Sequence, residues 1–215
     1  MSESSQTAAA SASAPWGGLS ARRLRTVERI ALVAAHIIDR DGIAALSMSR
    51  LADEAGVSRQ TLYSYFPDVD AVLEGIATVG ATGVGELSRM VEAEADPREA
   101  LRLFVTAILE AAAAGHPSPM ALAAAVPEAS REAMRSHQES VEHVVIGLIR
   151  RGRSSGVFRT EVEPELDGRL VYRATLAAHD LAAAPGADVD ALARHLADGL
   201  WRMLAAGVST PGPSG

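Results

Sequence analysis

The stretch from Ser47 to Phe66, SMSRLADEAGVSRQTLYSYF, sets an arginine, an amide and several hydroxyls close together in the chain. None of them forms a nucleophile–base pair. They are hydrogen-bonding groups of the kind that read nucleic acid. Arg59 can give paired donors to a guanine edge, and Gln60 can pair with adenine. Ser58, Thr61, Tyr63 and Tyr65 offer hydroxyls to phosphate oxygens, and helix N-termini at Ser47 and Ser58 add backbone N–H donors. The other residues supply the frame. Ala52 and Ala55 are small where two helices must approach, and Gly56 lets the turn take φ > 0. Val57 and Leu62 point back to a core shared with Leu51. This is the pattern of a helix-turn-helix, which pushes one helix into the major groove. An ordinary surface helix is the bland alternative, and Tyr63 and Tyr65 beside a polar helix face argue against it.

Elements on either side must position that segment. Leu24, Val27, Ile30, Ala31, Ala34, Ile37 and Ile38 repeat at helical spacing, so a helix is predicted from Ala21, capped by Ser20, to Asp41, with Gly42 as its stop. Ser47 and Ser58 cap the next two helices, and Asp68 caps a long one reaching about Met90. Asp96-Pro97 opens a helix to Ala114. Three prolines within residues 116–127 predict short or broken helix. Further helices are expected over 128–154, 164–184 and 188–206. Arg150, Arg151 and Arg153 are placed to offset the C-terminal dipole of the first of these. No segment alternates with period two. The expected fold is all-α: a three-helix DNA-binding head over 20–73 and a helical bundle over 74–207, about nine helices in all. Residues 1–19, which include Trp16, and 208–215 read as flexible tails.

Composition narrows the chemistry. The 215 residues contain no Cys and no Lys; all 20 basic residues are Arg. That removes disulfides, thiolate zinc sites, Cys nucleophiles, Schiff-base lysines and the P-loop lysine. Ala occurs 42 times, which favours helix. The formal charge of −7 argues against nonspecific nucleic-acid binding by the whole chain. It divides unevenly: residues 21–73 hold seven Arg and seven acids, residues 74–215 hold thirteen Arg and nineteen acids, and Glu3 adds the last charge. No transmembrane stretch or secretory signal is read, so the expected location is cytoplasmic, with no membrane partner.

From Thr26 to Ile76 the chain resembles the N-terminal domain of the TetR family of bacterial transcriptional regulators. The matching residues are the apolar helix Val27–Ile38, Gly42, Ser47, the run AGVSRQTLYSYF at 55–66, and Asp70 and Leu73. Beyond that stretch only the architecture agrees, including Gly156-Val157-Phe158 before a helix opened by Pro164. The resemblance implies a homodimer on a palindromic operator, with Arg59, Gln60 and Tyr63 in or near the groove. It implies backbone phosphate contacts from Ser47, Thr61, Tyr63 and Tyr65, and Ser49 can also reach the groove. One departure matters. The family usually carries Lys three residues after the aromatic that ends the third helix; here that position is Val69, between Asp68 and Asp70. Arg50, or Arg22, Arg23 and Arg25, are the cations left to replace that grip. The arginine trio has a solvated helix end as an equal alternative.

The resemblance also implies a body that holds an effector and a dimer interface. The last two long helices would pair across the dimer, through Leu166, Leu170, Ala174, Ala177, Ala178 and Leu181 on one and Leu192, Leu196, Leu200, Trp201 and Leu204 on the other. A plain intramolecular core explains the same stripes. Candidate effector contacts are Phe104, Ile108, Met120, Met134, Val141, Val145 and Tyr172, with Leu122, Val144 and Leu148 beside them, lining an apolar pocket. Each is equally a core residue by type. His137, Glu139, Glu142 and His143 do not share one helix face well enough for a metal site, and no metal or cofactor is expected. His179-Asp180 has no nucleophile motif to serve, so no enzyme activity is expected. The function predicted is a ligand-responsive transcriptional repressor. The alternative is a helical binding protein or enzyme of the same fold that has lost operator binding.

Overall fold

The computed structural model describes residues 20–117 and 128–206. The predicted tails, Trp16, Met120, Leu122 and the broken segment around Pro119 and Pro127 lie outside the described residues, as does the side chain of Met134. The chain divides into two units, 1–85 with 116–138, and 86–115 with 139–215.

In the first unit, α1 (Ala21–Asp41) buries Val27, Ile30, Ala31, Ala34, Ile37 and Ile38, the face set by its 3.6-residue period. Leu24, expected on that face, is exposed. Ser20 occupies the cap position but its side chain makes no capping bond. A short 3-10 turn, Ile43–Ala45, leads to α2 (Met48–Glu54) and α3 (Arg59–Tyr63). Gly56 takes φ +63, and Val57 N–H donates to Ala52 O at 3.0 Å, closing the turn between them. Helix α4 (Val69–Ala93) starts at an Asp68 cap, whose Oδ1 accepts from Ala71 N–H at 2.8 Å. Ile30, Ile37, Ile38, Leu51, Leu62, Phe66 and Val72 form one apolar cluster. Removing each such side chain from water is worth about 1.5–3 kcal/mol. That cluster is what fixes α2 and α3 on α1.

The second unit takes residues from the ends of α4 and α6 (Glu128–Ser154), and holds α5 (Pro97–Ala113), α7 (Pro164–Ala177), α8 (His179–Ala183) and α9 (Val189–Leu204). Helices α8 and α9 both pack on α5. The helix expected over 164–184 is broken at Ala178. Among the described residues there is no β-strand, only an isolated bridge between Phe158 and Ala205. That bridge seats the Phe158 ring over Gly152, where an added Cβ would lie 2.3 Å from the ring. The Phe158 ring meets Trp201 edge-on at 5.7 Å, and the Arg98 guanidinium lies 5.5 Å from the Trp201 ring centre. Arg151 donates to Val91 O at 2.9 Å and Arg150 to Glu165 at 2.6 Å, so two of the three arginines ending α6 hold neighbouring segments as well as facing the helix dipole. No helix among the described residues is long and apolar enough to cross a membrane.

Candidate nucleic-acid interface

The recognition helix is short, and its caps define it. Ser47 Oγ accepts from Arg50 N–H at 3.3 Å at the start of α2. Ser58 Oγ accepts from Thr61 N–H at 3.0 Å at the start of α3, and the Ser58 and Thr61 hydroxyls stand 2.8 Å apart. Leu62 is fully buried and anchors α3. With Leu62 inward, helical geometry turns Arg59, Gln60 and Tyr63 outward, and all three are exposed. Ser47 and Ser58 lie beside them at the helix starts, whereas Thr61 and Tyr65 are half-buried and Tyr65 packs against the head core. The structure therefore brings Ser47, Ser58, Arg59, Gln60 and Tyr63 to the outside of α2 and α3, whereas Ser49 is half-buried, like Thr61 and Tyr65.

Two features of this surface escape a sequence reading. Arg59 Nη2 donates to Ser49 Oγ, tying the first residue of α3 to α2. A guanidinium has five N–H donors, so this bond leaves a pair free for a base edge. The remaining guanidinium N–H groups are donors, which complement the N7 and O6 acceptors of guanine.

The second feature is a closed ring of charge. Arg50 Nε donates to Glu54 Oε1 at 2.7 Å and its Nη2 to Asp41 Oδ2; Arg40 reaches the same two carboxylates at 3.2 Å and 2.8 Å. Hydrogen bonds from Arg40 and then Arg50 hold the Asp41 carboxyl below its ordinary range, and the bond from Arg50 does the same for Glu54. Arg50 thus has acidic partners on its own chain, and contact with a phosphate has to compete with them. Arg22, Arg23 and Arg25 are exposed on the first turn of α1. Val69 opens α4, half-buried, and packs on the head core. It serves the fold at the position where the family places a cation.

This difference has a measurable consequence. Val69→Lys is expected to steepen the dependence of log K on log salt by about one, the contribution of one added phosphate contact. Titrations at several salt concentrations check it, and an unchanged slope would show that the position does not face the backbone.

In the second unit Phe104, Val141, Val145 and Tyr172 are buried and Ile108 is half-buried, each as part of the packed interior. Among the described residues no three His, Asp or Glu side chains converge as a metal site. Glu142 lies 3.7 Å from both Arg169 and Arg173. On α7 and α8, Leu166, Leu170 and Leu181 are exposed, whereas Ala178 is buried. On α9, Leu200 and Leu204 are buried within the chain, and Leu192, Leu196 and Trp201 are half-buried. The two predicted stripes therefore differ. The first is largely unpartnered, and the second is partly consumed in packing.

Comparison with known proteins agrees with this arrangement. The profile for bacterial regulatory proteins of the tetR family matches residues 30–76, and the tetracyclin repressor-like C-terminal domain matches residues 97–198. No curated protein sequence matches the chain. Among solved structures, the TetR family transcriptional regulator PfmR from Thermus thermophilus is 26% identical over 81% of this chain and 97% of its own, with a TM-score of 0.66. The ketosteroid transcriptional regulator KstR2 of Mycobacterium tuberculosis is 17% identical, covering 89% and 98%, also at 0.66. The transcriptional regulator FadR from Bacillus subtilis, solved with stearoyl-CoA, is 16% identical, covering 80% and 96%, at 0.63. With a helix-turn-helix profile over its head and a family C-terminal profile over its body, the chain belongs to the TetR family of bacterial transcriptional regulators.

Proposed function

We propose that this regulator is a repressor that binds a palindromic operator as a homodimer and is released by a small, largely apolar effector held in its body. The observation that carries the DNA reading is the exposed face of Arg59, Gln60 and Tyr63, set by the Ser58 cap and steadied by the Ser49–Arg59 bond. In the bound dimer the two α3 helices occupy successive major grooves, ~34–36 Å apart. Ser47, Ser49, Ser58, Thr61 and Tyr65 add phosphate contacts around them. The effector favours a different spacing of the heads, and its leverage equals its difference in affinity for the two states. Relatives named for ketosteroids and solved with stearoyl-CoA support an effector with a large apolar part.

Selection from random-sequence DNA tests the reading without knowledge of the operator. The expected product is an inverted repeat with a guanine in each half-site opposite Arg59. Enrichment of no sequence would instead support a binding protein of this fold that has lost its operator. Val69, between Asp68 and Asp70, is the observation that favours this second reading.

A further inference from the structure

The interior of the second unit contains a polar line. Tyr172, Thr175 and His179 fall at i, i+3 and i+7 along α7 and the first residue of α8, and are 1%, 0% and 5% exposed. Ala178 between the helices keeps right-handed helical angles, so the register carries across the break. By the 1.5 Å rise per residue, the two outer positions stand roughly 10 Å apart along the axis. Thr175 is satisfied: its hydroxyl donates to Val171 O at 2.8 Å. The other two are not. Tyr172 Oη and His179 Nδ1 are buried, and neither has a hydrogen-bond partner among the described residues. Asp180 Oδ1 stands 3.6 Å from His179 Nδ1, beyond hydrogen-bond reach, and the Asp180 side chain faces solvent. The third such atom, His137 Nδ1, sits against Gly80 on α4, away from this line in sequence.

Phe and Leu would fill these positions with no unmet hydrogen bond, and buried polar atoms left unpaired are destabilising. Two of them about two turns apart on one face, across the α7–α8 junction, are best explained by a partner that comes and goes. Resting on the effector reading above, we propose that Tyr172 and His179 form a hydrogen-bonding subsite for the effector, which is an uncharged, largely apolar molecule bearing hydroxyl or carbonyl oxygens. The absence of charge follows from the surroundings. Glu142 on α6 is already paired with Arg169 and Arg173, each 3.7 Å away, so it offers no unpaired charge to balance an ion taken into this buried line. Burial, with Glu142 second, pushes the Tyr172 hydroxyl up to about 12, which keeps it a neutral donor at physiological pH.

The test uses the full-length protein, Tyr172→Phe and His179→Leu, with 4-phenylphenol and biphenyl as probes of one shape with and without a hydroxyl. In the absence of probe, Tyr172→Phe is expected to raise Tm by about 2–4 °C, because an unmet hydrogen bond is removed. With probe, 4-phenylphenol should bind the wild type about tenfold tighter than biphenyl, the scale of one net hydrogen bond. Either substitution should reduce that ratio. A fall in Tm for Tyr172→Phe would overturn the proposal, since the hydroxyl then has a structural partner such as a buried water. Equal binding of the two probes would overturn it as well. Release of operator DNA is read separately by fluorescence anisotropy. Selective 4-phenylphenol binding that leaves the operator bound supports the subsite and overturns the effector reading alone.

Discussion

Replacing Arg59 and Tyr63 together by Ala is expected to bring operator affinity down to the nonspecific level while leaving fold and assembly intact. A bidentate arginine–guanine pair is worth about 1–3 kcal/mol of discrimination, and a hydroxyl bonded to a charged phosphate contributes about 1.5–3 kcal/mol. A two-fold operator uses each contact twice. The combined loss therefore spans the roughly 4–10 kcal/mol that separates specific from nonspecific binding. Both side chains are exposed and neither belongs to the head core, so the change in fold stability should stay within about 0.5 kcal/mol. Anisotropy on the selected operator and on scrambled DNA measures the first effect; thermal melting and sedimentation measure the second. Undiminished operator affinity in the double variant would remove α3 from the groove.

Arg59 also shows why part of this site is legible in sequence and part is not. The caps at Ser47 and Ser58 and the turn at Gly56 are local, closed by bonds between residues no more than five positions apart, and each is where its residue type demands. These local rules give the start of α3 and the exposure of Arg59, Gln60 and Tyr63, whereas its end, expected near Tyr65, comes at Tyr63. The Ser49–Arg59 bond and the ring of Arg40, Asp41, Arg50 and Glu54 join residues brought together only when α1, α2 and α3 pack. Spacing in the chain carries no signal for either. Without the ring, Arg50 reads as a free cation facing phosphate.

In the body the difficulty is of another kind. Phe104, Val141 and Val145 belong to the interior because they recur at helical spacing, and a pocket wall needs the same recurrence. Pattern alone cannot divide the two. The break at Ala178 has a similar origin. The run TLAAHDLAAA contains neither Gly nor Pro, so propensity favours one helix through it. Packing ends α7 there instead, burying Ala178, His179 and Ala182 together. Gly152 is the converse case. A glycine inside α6 reads as a weak point, yet its missing side chain is what admits the Phe158 ring.

The second large effect concerns assembly. Leu166, Leu170 and Leu181 are exposed, and with Ala174 and Ala177 they fall within a stripe of roughly 80° at 100° per residue, counting the register through Ala178. Exposed leucines scattered singly mean little, but three aligned on α7 and α8 beside small residues form a face suited to a second helix. In a two-fold dimer the same face meets itself, so each substitution acts twice. Burying one Leu on each protomer is worth about 1.5–3 kcal/mol, and a buried unpaired carboxylate adds several more against association. Leu170→Glu is therefore expected to convert the proposed dimer to a monomer at micromolar concentration. The monomer itself should melt close to the wild-type protomer, because Leu170 leaves no cavity in its own chain. The palindrome is then bound one half-site at a time, and affinity falls by a factor of about 10²–10⁴, the gain lost when two heads are no longer linked. Sedimentation equilibrium reads the assembly, and anisotropy on whole and half operators reads the DNA. A Leu170→Glu protein that stays dimeric would move the interface off α7, and α9, where Leu192, Leu196 and Trp201 remain half-buried, would be the next face to test.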